Sequence, residues 1–134
     1  MTGVDAAPLD GTGEDAADRE KVARYLADLS RFGEQARQLV SEGRESYLTR
    51  TFDGERSRGF GEHIVLNIAT VAERLPDWFK ELHPDVGWQA LKGMRNLIAH
   101  VYDGVDDELV WRALENRVPR MIAQLVDPEQ NPLH

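Results

Sequence analysis

Apolar side chains in this chain recur at three- and four-residue steps, the period of helices that bury one side. Val22, Tyr25, Leu26, Leu29, Phe32, Ala36 and Leu39 open the pattern, and Ile64, Ile68, Val71, Ala72 and Leu75 resume it. Leu109, Val110, Leu114 and Val118 follow, then Met121, Ile122 and Leu125 beyond Pro119. No convincing strand, repeat or low-complexity block interrupts them. The pattern predicts an all-α fold, an up-and-down antiparallel bundle of four main helices plus short helices.

Punctuation residues set the expected boundaries. The first long helix should stop near Glu42-Gly43, with glycine as the end signal. Arg44 to Thr51 reads as a short helix turning Tyr47, Leu48 and Phe52 inward. Asp53-Gly54 and Gly59-Phe60-Gly61 read as breakers around a charged loop, so the second long helix is expected from about Glu62. Pro76 should end or kink that helix, with Trp78, Phe79 and Leu82 packing before the turn at His83-Pro84-Asp85. A third long helix is expected from Trp88 to about Tyr102, broken by Asp103-Gly104. Asp106-Asp107-Glu108 then caps the last helix, and Pro119 kinks or divides it. Residues 1–15 read as a disordered acidic tail, 16–127 as the bundle and 128–134 as a C-terminal tail.

The bulk properties narrow the function classes. A chain of 134 residues is one domain in size. It has no apolar run long enough to span a bilayer and no secretory leader pattern, and its lack of cysteine fits a cytoplasmic location. The net charge of −8 argues against nonspecific coating of nucleic acid. Much of it is local, because Asp5, Asp10, Glu14, Asp15, Asp18 and Glu20 face Arg19 alone in the first twenty residues. A small site with well-placed arginines remains compatible with such a chain.

One segment carries chemistry. Arg95, Asn96, His100 and Tyr102 lie within eight residues of an otherwise apolar helix. On an ideal helical wheel with Arg95 at zero, Leu91, Met94, Leu97, Ile98, Val101 and Ala90 form the core stripe. Tyr102 falls about 20° from Arg95, while Asn96 and His100 fall near about 100° and 140° on the opposite side from that stripe. Asn96 and His100, four apart, can touch. Gly93 and Ala99 keep this face low enough for another backbone to approach. Lys92 and Trp88 add a positive charge and a stacking surface, and are candidate RNA contacts.

These residue types suit cleavage of RNA at its own 2′-hydroxyl. The reaction needs a base for that proton, an acid for the 5′-oxygen and positive charge against the phosphorane. Histidine, with an ordinary pKa of about 6.5, can take either proton role, and arginine offers phosphate a planar fork. One chain supplies a single histidine on this face. A composite site across a two-fold axis would supply two.

The residues also resemble a known family. Arg-x4-His-x-Tyr, with asparagine directly after the arginine, is similar to the signature of HepT-like ribonuclease toxins of the HEPN superfamily. The resemblance extends through His83-Pro84-Asp85-Val86-Gly87-Trp88, Gly93-Met94-Arg95-Asn96, His100-Val101-Tyr102, Val105-Asp106, Leu109-Val110-Trp111 and Pro119, from about residue 60 to 125. It implies a HEPN-like helical homodimer, acting as the toxin of a type VII toxin–antitoxin system. It implies an endoribonuclease that needs no metal or other cofactor, with Arg95 and His100 catalytic and Asn96 supporting. It also implies a minimal nucleotidyltransferase as antitoxin, silencing the toxin by adenylating Tyr102. Superfamily members without catalysis leave an alternative, a helical interaction module that binds a partner protein or nucleotide.

Other constellations are bland. The histidines at 63, 83, 100 and 134 show no zinc spacing. Asp103, Asp106 and Asp107 lack the glycine and glutamate positions of an EF-hand loop. Trp78, Phe79 and Trp111 read as core residues, and Arg56 and Arg58 as a solvated loop that could guide RNA.

Overall fold

A computed structural model describes residues 13–98 and 104–125, with side chains from residue 16 onward. Every regular element among them is helical. Helix α1 runs Gly13–Ser41 and α2 Arg44–Leu48; α3 runs Phe52–Arg74 and α4 Asp77–Leu82. Helix α5, Trp88–Gly93, tightens into a 3₁₀ turn over Met94–Leu97. Helix α6, Asp107–Arg112, passes through a π-helical stretch, Ala113–Arg117, into α7, Val118–Leu125.

The expected periodicity places the core. Leu29, Ala36, Ile64, Val65, Ile68, Leu114, Val118 and Leu125 are essentially inaccessible. Burying each of the larger aliphatic ones stabilises the fold by about 1.5–3 kcal/mol before ordering costs. Helix α3 is the central element, packing against α1, α2, α5, the 3₁₀ turn and α6. Gly43 joins α1 to α2 with a φ of 98°, and Gly104 precedes α6 with a φ of 91°, both backbone conformations that glycine adopts without a steric penalty. Asp106 caps α6, its carboxylate accepting from the Leu109 N–H at 3.2 Å.

The structure departs from the sequence expectations in four places. Helix α3 begins ten residues earlier than about Glu62, directly through the supposed breakers. Thr51 caps it by accepting from the Gly54 N–H, and the glycines are there for close packing. A Cβ on Gly54 would collide with the Thr49 carbonyl oxygen. Gly61 sits under Tyr47 and Leu114. Second, Phe52, Trp78, Leu82 and Leu109 are substantially exposed rather than packed inward, whereas Phe79 and Trp111 are buried as expected.

Third, the 88–102 region is not one long α-helix, because it narrows to 3₁₀ geometry at Met94. Fourth, the division of the last helical run expected at Pro119 falls just before it, as a π-helical stretch between two α-helices rather than a loop. Proline removes an N–H and crowds the carbonyl four residues back. That carbonyl belongs to Glu115, inside the π stretch, and the wider turn accommodates the ring. Pro119 then stands in the first turn of α7, where proline is tolerated.

Candidate functional site

The segment from α5 into the 3₁₀ turn is fixed at both ends. Trp88 donates its indole Nε1–H to the carbonyls of His83 and Lys80, at 3.0 and 3.2 Å. Its ring meets Phe79 edge-on at 6.3 Å between centroids. At the other end the Ile98 N–H bonds the Arg95 carbonyl at 3.1 Å, the three-residue closure of a 3₁₀ turn. Leu91, Met94 and Ile98 are buried against the bundle, as the wheel predicts. Ala90, assigned to the same stripe, is exposed, and Leu97 is half-buried.

The tighter turn directs Arg95 toward α3. Its Nη2 donates to the Thr70 hydroxyl at 3.0 Å, and its Nη1 lies 3.2 Å from the Glu73 carboxylate. Thr70 and Glu73 are three apart and share a side of α3. The Arg95 side chain keeps 41% of its accessible surface, so the guanidinium is oriented without being shut away. Asn96 beside it is exposed, as is Lys92 one turn earlier. A Cβ on Gly93 would meet none of the described residues within 4 Å. His100 and Tyr102, the other two members of the expected quartet, lie outside the described residues, as do Ala99 and Val101.

The outer strip of α3 is the part sequence reasoning missed. Thr70 and Glu73 hold Arg95, and one turn and two turns earlier Asn67 and His63 are linked at 3.0 Å through Nδ2 and Nε2. Their spacing at 63, 67, 70 and 73 is that of one helical face, opposite the apolar one of Ile64, Ile68, Val71 and Ala72. Trp88, expected as a candidate RNA contact, is engaged in holding the α4–α5 turn. Arg58 is a structural clamp, donating to the carbonyls of Tyr47 and Thr49 at 3.0 and 2.6 Å. Arg56 pairs with Asp53 at 3.5 Å.

A cavity of about 680 Å³ is lined by residues including Thr49, Thr51, Asp53, Arg56 and Phe60. It lies ten or more residues from Thr70 along α3, roughly 15 Å or more away, and takes no part in the Arg95 arrangement. Among the described residues no group of three His, Asp or Glu side chains is placed to hold a metal ion. No helix among them is long and apolar enough to cross a membrane.

The geometry supplies an oriented, half-exposed guanidinium beside an exposed amide, an arrangement suited to binding an anionic oxygen. Comparison with known proteins adds identity to that chemistry. The family model described as Ribonuclease HepT-like matches residues 22–127. A protein named "Probable ribonuclease HepT" from Thermococcus cleftensis is 28% identical over 98 residues, 72% of this chain and 86% of that protein. A provisionally named RNase from Caldanaerobacter subterraneus subsp. tengcongensis is 31% identical over 58 residues, 43% of this chain and 52% of its own. Another provisionally named RNase, from Methanocaldococcus jannaschii, is 37% identical over 43 residues, 32% of this chain and 39% of its own. No solved structure matches the chain significantly.

Proposed function

We propose that this chain, which belongs to the HepT-like ribonuclease family, is a metal-independent endoribonuclease and the toxin of a toxin–antitoxin pair. The observation that carries the reading is the held guanidinium of Arg95, aimed by Thr70 while its carboxylate partner stays exposed. An exposed ion pair is worth only about 0.2–1 kcal/mol, so an RNA phosphate can displace Glu73 and find the arginine already oriented.

In the proposed reaction the 2′-oxygen attacks phosphorus and the bond to the 5′-oxygen breaks. A base takes the 2′-hydroxyl proton, and an acid returns a proton to the leaving 5′-oxygen. The products are a 2′,3′-cyclic phosphate and a 5′-hydroxyl. His100 serves the proton transfers, Arg95 stabilises the charge on the phosphorane, and Asn96 supports them. A homodimer would pair two such sets in one cleft. Lys92 is the flanking cation for RNA. Silencing follows from adenylation of Tyr102 by a cognate minimal nucleotidyltransferase using ATP, with pyrophosphate as the leaving group. The attached phosphate and purine oppose RNA through bulk and negative charge. The pair acts in the cytoplasm.

Incubation of purified protein with tRNA and mRNA in excess EDTA tests the reading, beside Arg95→Ala and His100→Ala. Intact mass must first establish that Tyr102 is unmodified. Cleavage by the parent, lost in both variants with helicity kept, supports it. No cleavage by an unmodified dimer would leave a non-catalytic helical interaction module.

A further inference from the structure

The π stretch between α6 and α7 does more than accommodate Pro119. In an uninterrupted α-helix Arg112 and Arg117 would point about 140° apart. A π turn instead bonds residues five apart, as in the Val118 N–H to the Ala113 carbonyl, and stacks such residues on one side. Arg120 follows one turn later. The result is a groove of about 320 Å³ lined by Arg112, Arg117, Arg120 and Asn116, with Leu97 and Leu109 as its apolar part. Among the described residues no carboxylate lines it. Leu97 directly follows Asn96, so the groove opens beside the turn that carries Arg95.

Charge makes the grouping unusual. In a chain of net charge −8, Arg31, Arg37, Arg44, Arg50, Arg56, Arg58 and Arg95 all have carboxylate partners. Of the arginines without one among the described residues, Arg19, Arg24 and Arg74 stand on other helices while three share this groove. Arg112, Arg117 and Arg120 have none among the described residues, and Arg117 reaches only the Ala90 carbonyl, at 3.5 Å. Three neighbouring cations repel one another unless anions are brought to them. A single phosphate would occupy one or two forks. A row of arginines beside exposed leucine surface fits a ligand with repeated phosphates and flat, partly apolar groups between them.

We propose that this groove binds the phosphate backbone of single-stranded RNA flanking the bond to be cut, with a ribose or base against Leu97 and Leu109. The proposal rests on the ribonuclease reading for its ligand. It also shows how an acidic chain can hold RNA through a local basic track.

The test measures binding of a labelled single-stranded RNA by anisotropy across a salt series, in a His100→Ala background that prevents cleavage. Arg112→Gln/Arg120→Gln removes two groove charges and leaves the Arg117 contact intact. Its charge-matched control is Arg31→Gln/Arg37→Gln on α1. Neutralising two phosphate contacts should weaken binding about tenfold and lower the log–log salt slope by about 1.4. With His100 restored, the groove variant should cleave a dinucleotide like the parent and lose efficiency only on longer RNA. An unchanged melting temperature establishes that the variant is folded. Equal loss in the charge-matched control, an unchanged salt slope, or lost affinity for an acidic peptide in place of RNA would overturn the groove. If the parent cleaves while the groove variant is unaltered, the groove fails and the ribonuclease reading stands. If RNA binds through the groove but is never cut, the reverse holds.

Discussion

Arg95 donates to the Thr70 hydroxyl at 3.0 Å, tying the 3₁₀ turn after α5 to the outer face of the central helix. That bond selects one direction for a long side chain that otherwise keeps many rotamers. If Arg95 stabilises a phosphorane, the hydroxyl's contribution is to hold it ready, and it should be visible in turnover. Thr70→Val keeps the shape and removes the acceptor. Losing one modest hydrogen bond of about 1 kcal/mol predicts kcat lower by about five- to tenfold. KM should move little, and the melting temperature should fall by only a few degrees. Unaltered turnover in a folded Thr70→Val protein would mean the bond is incidental.

Glu73 acts on the same guanidinium with the opposite consequence. Its carboxylate lies 3.2 Å from Nη1 and is half exposed, so it competes with an incoming phosphate without contributing much to stability. Glu73→Gln removes the competing charge while keeping a polar partner. KM for RNA should fall severalfold, most strongly at low salt, where exposed charges are least screened. A rise in KM would show that the carboxylate is needed to position Arg95.

Two glycines of α3 separate packing from propensity. A Cβ on Gly61 would stand 2.7 Å from the Tyr47 hydroxyl and 2.9 Å from Leu114 Cδ1, both in the core. Gly61→Ala should therefore destabilise by about 1–3 kcal/mol through overpacking. Gly59, on the same helix, has nothing within 4 Å of its would-be Cβ. Gly59→Ala should stabilise by roughly 0.5–1 kcal/mol. Chemical denaturation of both variants checks the contrast, and similar effects of one sign would contradict it.

The same glycines explain what the sequence made legible. The core residues of α1, the second half of α3 and the last helical run follow from spacing alone, because burial imposes the period. Gly54 and Gly61 look like loop residues until Thr49, Tyr47 and Leu114 are seen to occupy the space a side chain would need. Arg95 and Asn96 were identifiable by residue type, but the partners Thr70 and Glu73 come from a different helix and required the packing. The arginine groove was hidden more deeply. An ideal wheel scatters Arg112 and Arg117, and only the π turn gathers them.

Glu62 offers a readout in pH. Burial first, and then the nearby Asp107 carboxylate, raises its carboxyl above the usual range, with Arg58 pulling the other way. The folded state thus favours the protonated form more than the unfolded chain does. Its contribution to stability is fully present below the unfolded carboxyl's pKa, and it is lost as pH rises through the raised folded value. Glu62→Gln mimics the protonated state at every pH. The variant should match the parent in melting temperature near about pH 4 and exceed it near about pH 7, with the gap opening between them. A parent that outlasts Glu62→Gln at neutral pH would mean attraction to Arg58 outweighs burial and Asp107.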